Sequence, residues 1–296
     1  MKLIDEIKMS FTRSEGLFRL MFLNIVVFLL ISVTKLIFFL AGSGSEHLTF
    51  FVSQLALHAD FGWLLTHPWS LITYMFVHVN FLHILMNMLI LFWSGKLFCE
   101  YLTSSRIVAV YLLGGIVGGL FYMISYNTFP VFSESVSLSS LIGASAGVLA
   151  VLVAIATLIP NYQMHLILFG PVKLKYIALV FTLIYLISIP DGNSGGNISH
   201  IGGIVFGFAY TRLLQKGINM GGWLEKLMSA VTGLFRPSSR IKVVHKSDRM
   251  RKASGTPHQE LIDSILDKIS RSGYSSLTKE EKEILFKASK TPEKDQ

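Results

Sequence analysis

Between residues 17 and 216 the chain alternates long apolar runs with short polar breaks. Six of these runs approach the roughly 20 residues that cross a bilayer as a helix. They lie at about 17–41, 74–98, 106–128, 141–159, 172–190 and 200–216. The first is too long for the apolar segment of a cleavable signal and has no small-residue cleavage site after it, so it is expected to stay as a span. After residue 216 the pattern changes to amphipathic. Trp223, Leu224, Leu227, Met228, Val231, Leu234 and Phe235 form one helical stripe, which predicts a helix lying in the membrane interface. Further on, Thr256-Pro257-His258-Gln259 reads as a helix start, with Pro at the first helical position. Leu261, Ile262, Ile265, Leu266 and Ile269 then give an apolar face that ends near Gly273, and Thr278-x-x-Glu281 opens a second helix through about Ala288. The expectation is an all-α, polytopic membrane protein: a cytoplasmic segment 1–16, a six-helix core 17–216, an interfacial helix and basic linker 217–255, and a helical hairpin 256–290.

Composition agrees with the pattern and charge orients it. Of 296 residues, 52% are hydrophobic and only 15% charged, against about a quarter in soluble domains. The net charge of +8 is unevenly spread: residues 17–216 carry 8 basic and 5 acidic side chains, residues 217–296 carry 15 and 10. The breaks at 42–73, 129–140 and 191–199 hold no Lys or Arg, whereas Lys96, Arg106, Lys173 and Lys175 occupy the alternate ones. This is the positive-inside arrangement, and it puts both termini in the cytoplasm. Lys35, near the outer end of the first span, is placed to snorkel. A single cysteine, Cys99, excludes an intrachain disulfide framework, a zinc finger and an iron–sulfur site. A multi-pass protein of a bacterial inner (plasma) membrane is the expected setting.

Polar side chains inside spans are costly and mark function by default. In the second span His83 and Asn87 share a helical face at i and i+4. They fit an interhelical hydrogen bond or a site donor; a zinc protease helix would need H-E-x-x-H, which is absent. In the fourth span Ser145 lies between Gly143 and Gly147, which serves either a packing notch or an accessible hydroxyl. In the sixth, His200 precedes Gly203 and Gly207, a small-xxx-small face that permits close helix approach. The inferred orientation puts all of these in the outer half of the bilayer. If Gly143, Gly147, Gly203 and Gly207 bring spans four and six together, Ser145 and His200 make a nucleophile with its general base. His83 and Asn87 then become donors to an oxyanion. No acid in the spans completes a triad.

With these residues in hand the chain resembles the rhomboid intramembrane serine proteases. The resemblance covers about 45–210 and rests, in order, on Trp69, on His78-x4-His83-x3-Asn87, on Gly143-x-Ser145 and on His200-x2-Gly203-x3-Gly207. Gly114-Gly115 and Gly118-Gly119 add the small-residue seam such proteins carry in span three. It implies a six-span rhomboid-like bundle with Ser145 and His200 as a catalytic dyad. The oxyanion hole would be His83, Asn87 and the Ser145 backbone amide, and His78 would have a structural role. Loop 42–73 would be a half-submerged hairpin, and span five with Asp191–Asn197 a gate and cap. Three positions depart from the family pattern: Ala146 where Gly often follows the serine, Leu149 where an aromatic commonly stacks on the histidine, and Ser70 where Arg frequently follows the tryptophan.

The expected substrates are single-span membrane proteins cut near the outer face, with no metal or organic cofactor. An inactive rhomboid-like helix binder is the alternative from another class. A transporter is disfavoured by the absence of a charged relay or inverted repeat. Residues 240–252, with six basic side chains and one acidic, suit a solvated linker or contact with anionic lipid head groups. Nucleic acid is not an expected partner, since aromatics are not interleaved with those charges. The hairpin carries no catalytic constellation and is expected to bind an unknown partner.

Overall fold

The computed structural model describes residues 15–42, 44–166, 170–235 and 257–290. The chain divides into two compact units, 1–236 and 237–296.

In the first unit, α1 (Glu15–Leu40), α5 (Phe81–Tyr101) and α6 (Ser104–Thr128) are each long and apolar enough to cross a membrane. Two shorter apolar helices follow, α7 (Ser145–Leu158) and α8 (Leu174–Ile187), and then α9 (Ser194–Leu214), whose first turns are rich in Gly, Ser and Asn. The outer faces of α1 and α8 expose large apolar side chains, as lipid contact requires. The helix α10 (Gly222–Phe235) matches the amphipathic stripe, and its Glu225 accepts from Asn219 Nδ2 (2.9 Å) and Ser105 Oγ (3.2 Å), fastening it beside the start of α6.

Three expected boundaries move. The second span does not begin at 74. Residues 74–76 form a 3₁₀ turn, and α5 starts only after Asn80, whose side chain accepts from Leu82 N–H and His83 N–H. His83 is therefore in the first turn rather than nine residues along. The sixth helix starts at Ser194 rather than 200, so His200 lies almost two turns in, and residues 194–197 of the expected cap are helical. The third change concerns loop 42–73, which contains α2 (Ser45–Ser53), α3 (Phe61–Thr66) and α4 (Ser70–Thr73).

The described residues are mostly helical, as expected, and two small antiparallel ladders occur among them. In one, β1 (Leu57–His58) pairs with β2 (Ser140–Leu141). In the other, β3 (Gln163–Leu166) pairs with β4 (Gly170–Lys173). A two-residue strand carries no alternation by which the sequence could reveal it.

The core is built on α7, buried from Ala146 through Ala156 and surrounded by α5, α6, α8 and α9. Its closest neighbour is α9. A Cβ on Gly203 would land on the Ala146 carbonyl, and one on Gly207 would come within 3.0 Å of Ala150 Cα. The expectation that Gly143 and Gly147 make this contact is wrong. Gly147 faces Tyr111 of α6 and Gly143 faces His83 of α5, while Ala146 and Ala150 receive α9. Ala146, the departure from glycine, is thus small enough for the junction.

In the second unit, α11 (Pro257–Ser272) and α12 (Lys279–Lys290) form the hairpin. Thr278 N–H donates to Glu281 Oε2 (2.8 Å) and Glu281 N–H to Thr278 Oγ1 (3.3 Å), a reciprocal capping box. The basic stretch 240–252 lies outside the described residues.

Candidate active site

The backbone leading into Ser145 is held from three sides. The β1–β2 ladder ends at Leu141, Gly143 N–H donates to the Tyr74 carbonyl (2.9 Å), and Ala144 N–H donates to His78 Nε2 (3.3 Å). His78 can accept there only with its proton on Nδ1, which faces the Phe76 carbonyl at 3.3 Å. The buried ring is a strut between two loops. Gly143 has φ +119°, a region that strains any L side chain, and a Cβ would come within 2.6 Å of His83 Cε1. The chain can turn here, with His83 against it, because no side chain intervenes.

Ser145 is the first residue of α7, where backbone N–H groups have no intrahelical partner. Its Oγ lies 2.5 Å from His200 Nε2. No described residue accepts from His200 Nδ1, which is buried. His83 and Asn87 line the same cavity as Ser145 and His200. One Asn87 Nδ2 proton is committed to the His83 carbonyl (2.9 Å), which fixes the amide and leaves the second free to point elsewhere. Met86, Ile90, Val148 and Leu149 form the apolar part of the wall. All four polar residues singled out for chemistry therefore meet in one cavity.

Trp69 does not meet them. Its indole N–H donates to the Gln54 carbonyl (2.9 Å), and its ring packs edge-on to His67 at 5.1 Å. His67 in turn stacks on Trp63 at 3.9 Å and 2°, and Trp63 lies 4.3 Å from His58. This aromatic–imidazole ladder secures loop 45–73 where an arginine is absent, and Ser70 beside it is fully buried. Burial lowers the His58 pKa, outweighing the upward pull of the Ser53 carbonyl.

One site residue escaped the sequence reading. Tyr185, in the last turn of α8, lines the cavity, with its ring 4.2 Å from that of His200 at 65°. Its signal was weak, because the same helix carries a second phenol, Tyr176, in its first turn. Asn197 Nδ2 donates to the Ser188 carbonyl (2.5 Å), tying the end of α8 to α9.

The rhomboid domain family matches residues 65–217, which includes every residue of the cavity. A family of unknown function, DUF6576, matches residues 251–291 and so takes in the hairpin. The protein named RHOMBOID-like protein 12, mitochondrial, of Arabidopsis thaliana is 30% identical over 160 residues. Those residues are 50% of this chain and 47% of that protein, so the chain matches about half of its relative's length. With its apolar helices, the chain is a multi-pass membrane protein, and it belongs to the rhomboid family.

Proposed function

We propose that the chain is an intramembrane serine endopeptidase that cuts single-span membrane proteins near the outer face of the bilayer. The observation that carries this is the 2.5 Å approach of Ser145 Oγ to His200 Nε2 in a cavity shared with His83 and Asn87. In this reading the core crosses a plasma membrane six times with both termini in the cytoplasm, supported by the distribution of Lys and Arg. The helices α7 and α9, too short or too polar to signal a span alone, cross inside the bundle where protein replaces lipid around them.

Neutral His200 accepts the Ser145 hydroxyl proton at Nε2 as Oγ attacks the scissile carbonyl carbon. Negative charge gathers on the carbonyl oxygen, to which the Ser145 backbone N–H, the second Asn87 N–H and the His83 ring donate; their share in one cavity supports this. The C–N bond breaks as His200 returns the proton to the leaving amine. Water, deprotonated by the same imidazole, then attacks the acyl carbon, and as the C–Oγ bond breaks His200 returns that proton to Ser145 Oγ. The chemistry calls for no metal or cofactor. Helices with small, helix-weakening residues near the cut suit it best, because a peptide bond must leave its helical hydrogen bonds before Oγ can reach it. The C-terminal hairpin acts as an interaction element, supported by its lack of any catalytic constellation.

Labelling by a fluorophosphonate or isocoumarin in detergent tests the reading, with Ser145→Ala and His200→Ala beside the wild type. Labelling of the wild type alone is expected, together with cleavage of a model transmembrane substrate. A wild type that does not label, or variants that label as well as it does, would assign the chain instead to the inactive, helix-binding class.

A further inference from the structure

On the reading that Ser145 and His200 form a working dyad, we infer that Tyr185 is a positioning residue for His200 and links the base's orientation to the place of α8. An imidazole needs two fixed contacts to keep one orientation. In a triad the second is an acid on Nδ1. Here no described residue accepts from Nδ1. The remaining hydrogen bond goes to Ser145 Oγ, a rotor that departs as soon as it attacks. The adjoining wall from α7 is Leu149, one turn beyond Ser145, which offers bulk but no ring.

Tyr185 supplies the missing constraint from α8. Its ring packs against His200 at 4.2 Å and 65°, which blocks rotation of the imidazole. Phe181, one turn earlier on α8, stacks on Tyr185 at 6.1 Å and 17° and steadies it. The same contact holds the imidazole in place while Nε2 carries the Ser145 proton. No proton passes to Tyr185, because the phenol is not what the contact uses.

The Asn197–Ser188 tie gives this contact a mechanical side. It holds α9 to the residue just beyond α8, within one turn of Tyr185. Elsewhere α8 is buried only at Leu174 and Ala178. The helix can therefore tilt while its tied end keeps the ring on His200, and a displacement that carries the tied end away uncouples the base.

The test uses the full chain in detergent micelles, with a model transmembrane substrate and the fluorophosphonate. Tyr185→Leu is expected to lower kcat and the labelling rate by about tenfold, with KM changed by less than about twofold. Tyr185→Phe, which keeps the ring, is expected to stay within about threefold of the wild type. Should Tyr185→Leu fail to melt cooperatively, Tyr185→Met decides in its place by the same criteria. A kcat unchanged without the ring, an effect on KM alone, or a Phe variant as slow as the Leu variant overturns the role of Tyr185 while leaving the dyad intact. A wild type with no Ser145-dependent activity overturns the dyad reading itself, and this one with it.

Discussion

The helices α7 and α8 have the same length, fourteen residues, and are about equally apolar, yet they occupy opposite environments. The first is buried at eleven consecutive positions, the second at two. Residue size makes the difference. Ala146, Gly147, Ala150, Ala154 and Ala156 let neighbouring backbones close around α7, whereas Leu179, Leu183, Ile184 and Leu186 of α8 point outward. In a membrane, lipid is as apolar as a protein core, so hydrophobicity cannot sort helices by burial and close packing of small residues does. The helix bearing Ser145 is fixed and the helix bearing Tyr185 is loosely seated. On the proposed function, a site that must be both pre-organised and open to a helical substrate would use both.

The hardest blow to this contrast is Gly203→Leu. The new side chain has only the Ala146 backbone to occupy, so a loss of about 3 kcal/mol or more in stability is expected, with proteolysis and probe labelling abolished. Thermal unfolding in detergent reads it, and an unchanged midpoint would mean the α7–α9 contact is not tight. Asn87→Ala tests pre-organisation with the packing left in place. It should lower kcat by about a hundredfold, with the melting temperature little altered, if a fixed donor is lost. On the other side of the contrast, Ile184→Ala is expected to change stability by no more than about 0.5 kcal/mol, because half of this side chain is exposed and α8 gains little from the core. A large loss there would erase the distinction between the two helices.

The smallest effect belongs to the hairpin, where polar capping supplements a small apolar contact at buried Ile265 and Leu277. The hydrogen bond from Lys268, then the Thr278 N–H, holds the Glu281 carboxyl below its usual pKa. A lowered folded-state pKa contributes stability above the ordinary value near about 4.3 and loses it as pH falls through the folded value. Amide exchange across 279–290 in the full chain, corrected for intrinsic rates, should quicken on acidification below that point. Glu281→Gln should flatten the dependence, and an unaltered profile would remove the carboxylate from the explanation.

Much of the site was legible because its chemistry is foreign to its surroundings. Two histidines, an asparagine and a serine flanked by small residues stand out in apolar runs, and the inferred common orientation of their spans groups them. Helix boundaries were less legible. Tyr74 to Val77 is as apolar as the helix that follows, and only the Asn80 side chain, by capping Leu82 and His83, determines where α5 begins. The partner of the Gly203–Gly207 face was misassigned for a related reason. Gly143 and Gly147 are the smaller residues, but helical phase, which sequence gives only once the start is known, turns Ala146 and Ala150 toward α9. Tyr185 lay hidden because its significance depends on a contact with a different helix.

The β1–β2 ladder has a consequence for the order of assembly. Leu57 and Leu141 are joined by a stretch that includes the whole of α5 and α6, so their pairing closes a large loop and waits for both helices to be in place. The turn at Gly143 and the pose of Ser145 depend on that closure, and His200 emerges later still from the ribosome. A chain in the course of synthesis thus holds Ser145 without its setting, and on the proposed reading the potential to cut appears only after the helix that carries His200 has been made. If Ser145 and His200 form a working dyad, the membrane segments inserting beside the young protein are safe from it until then.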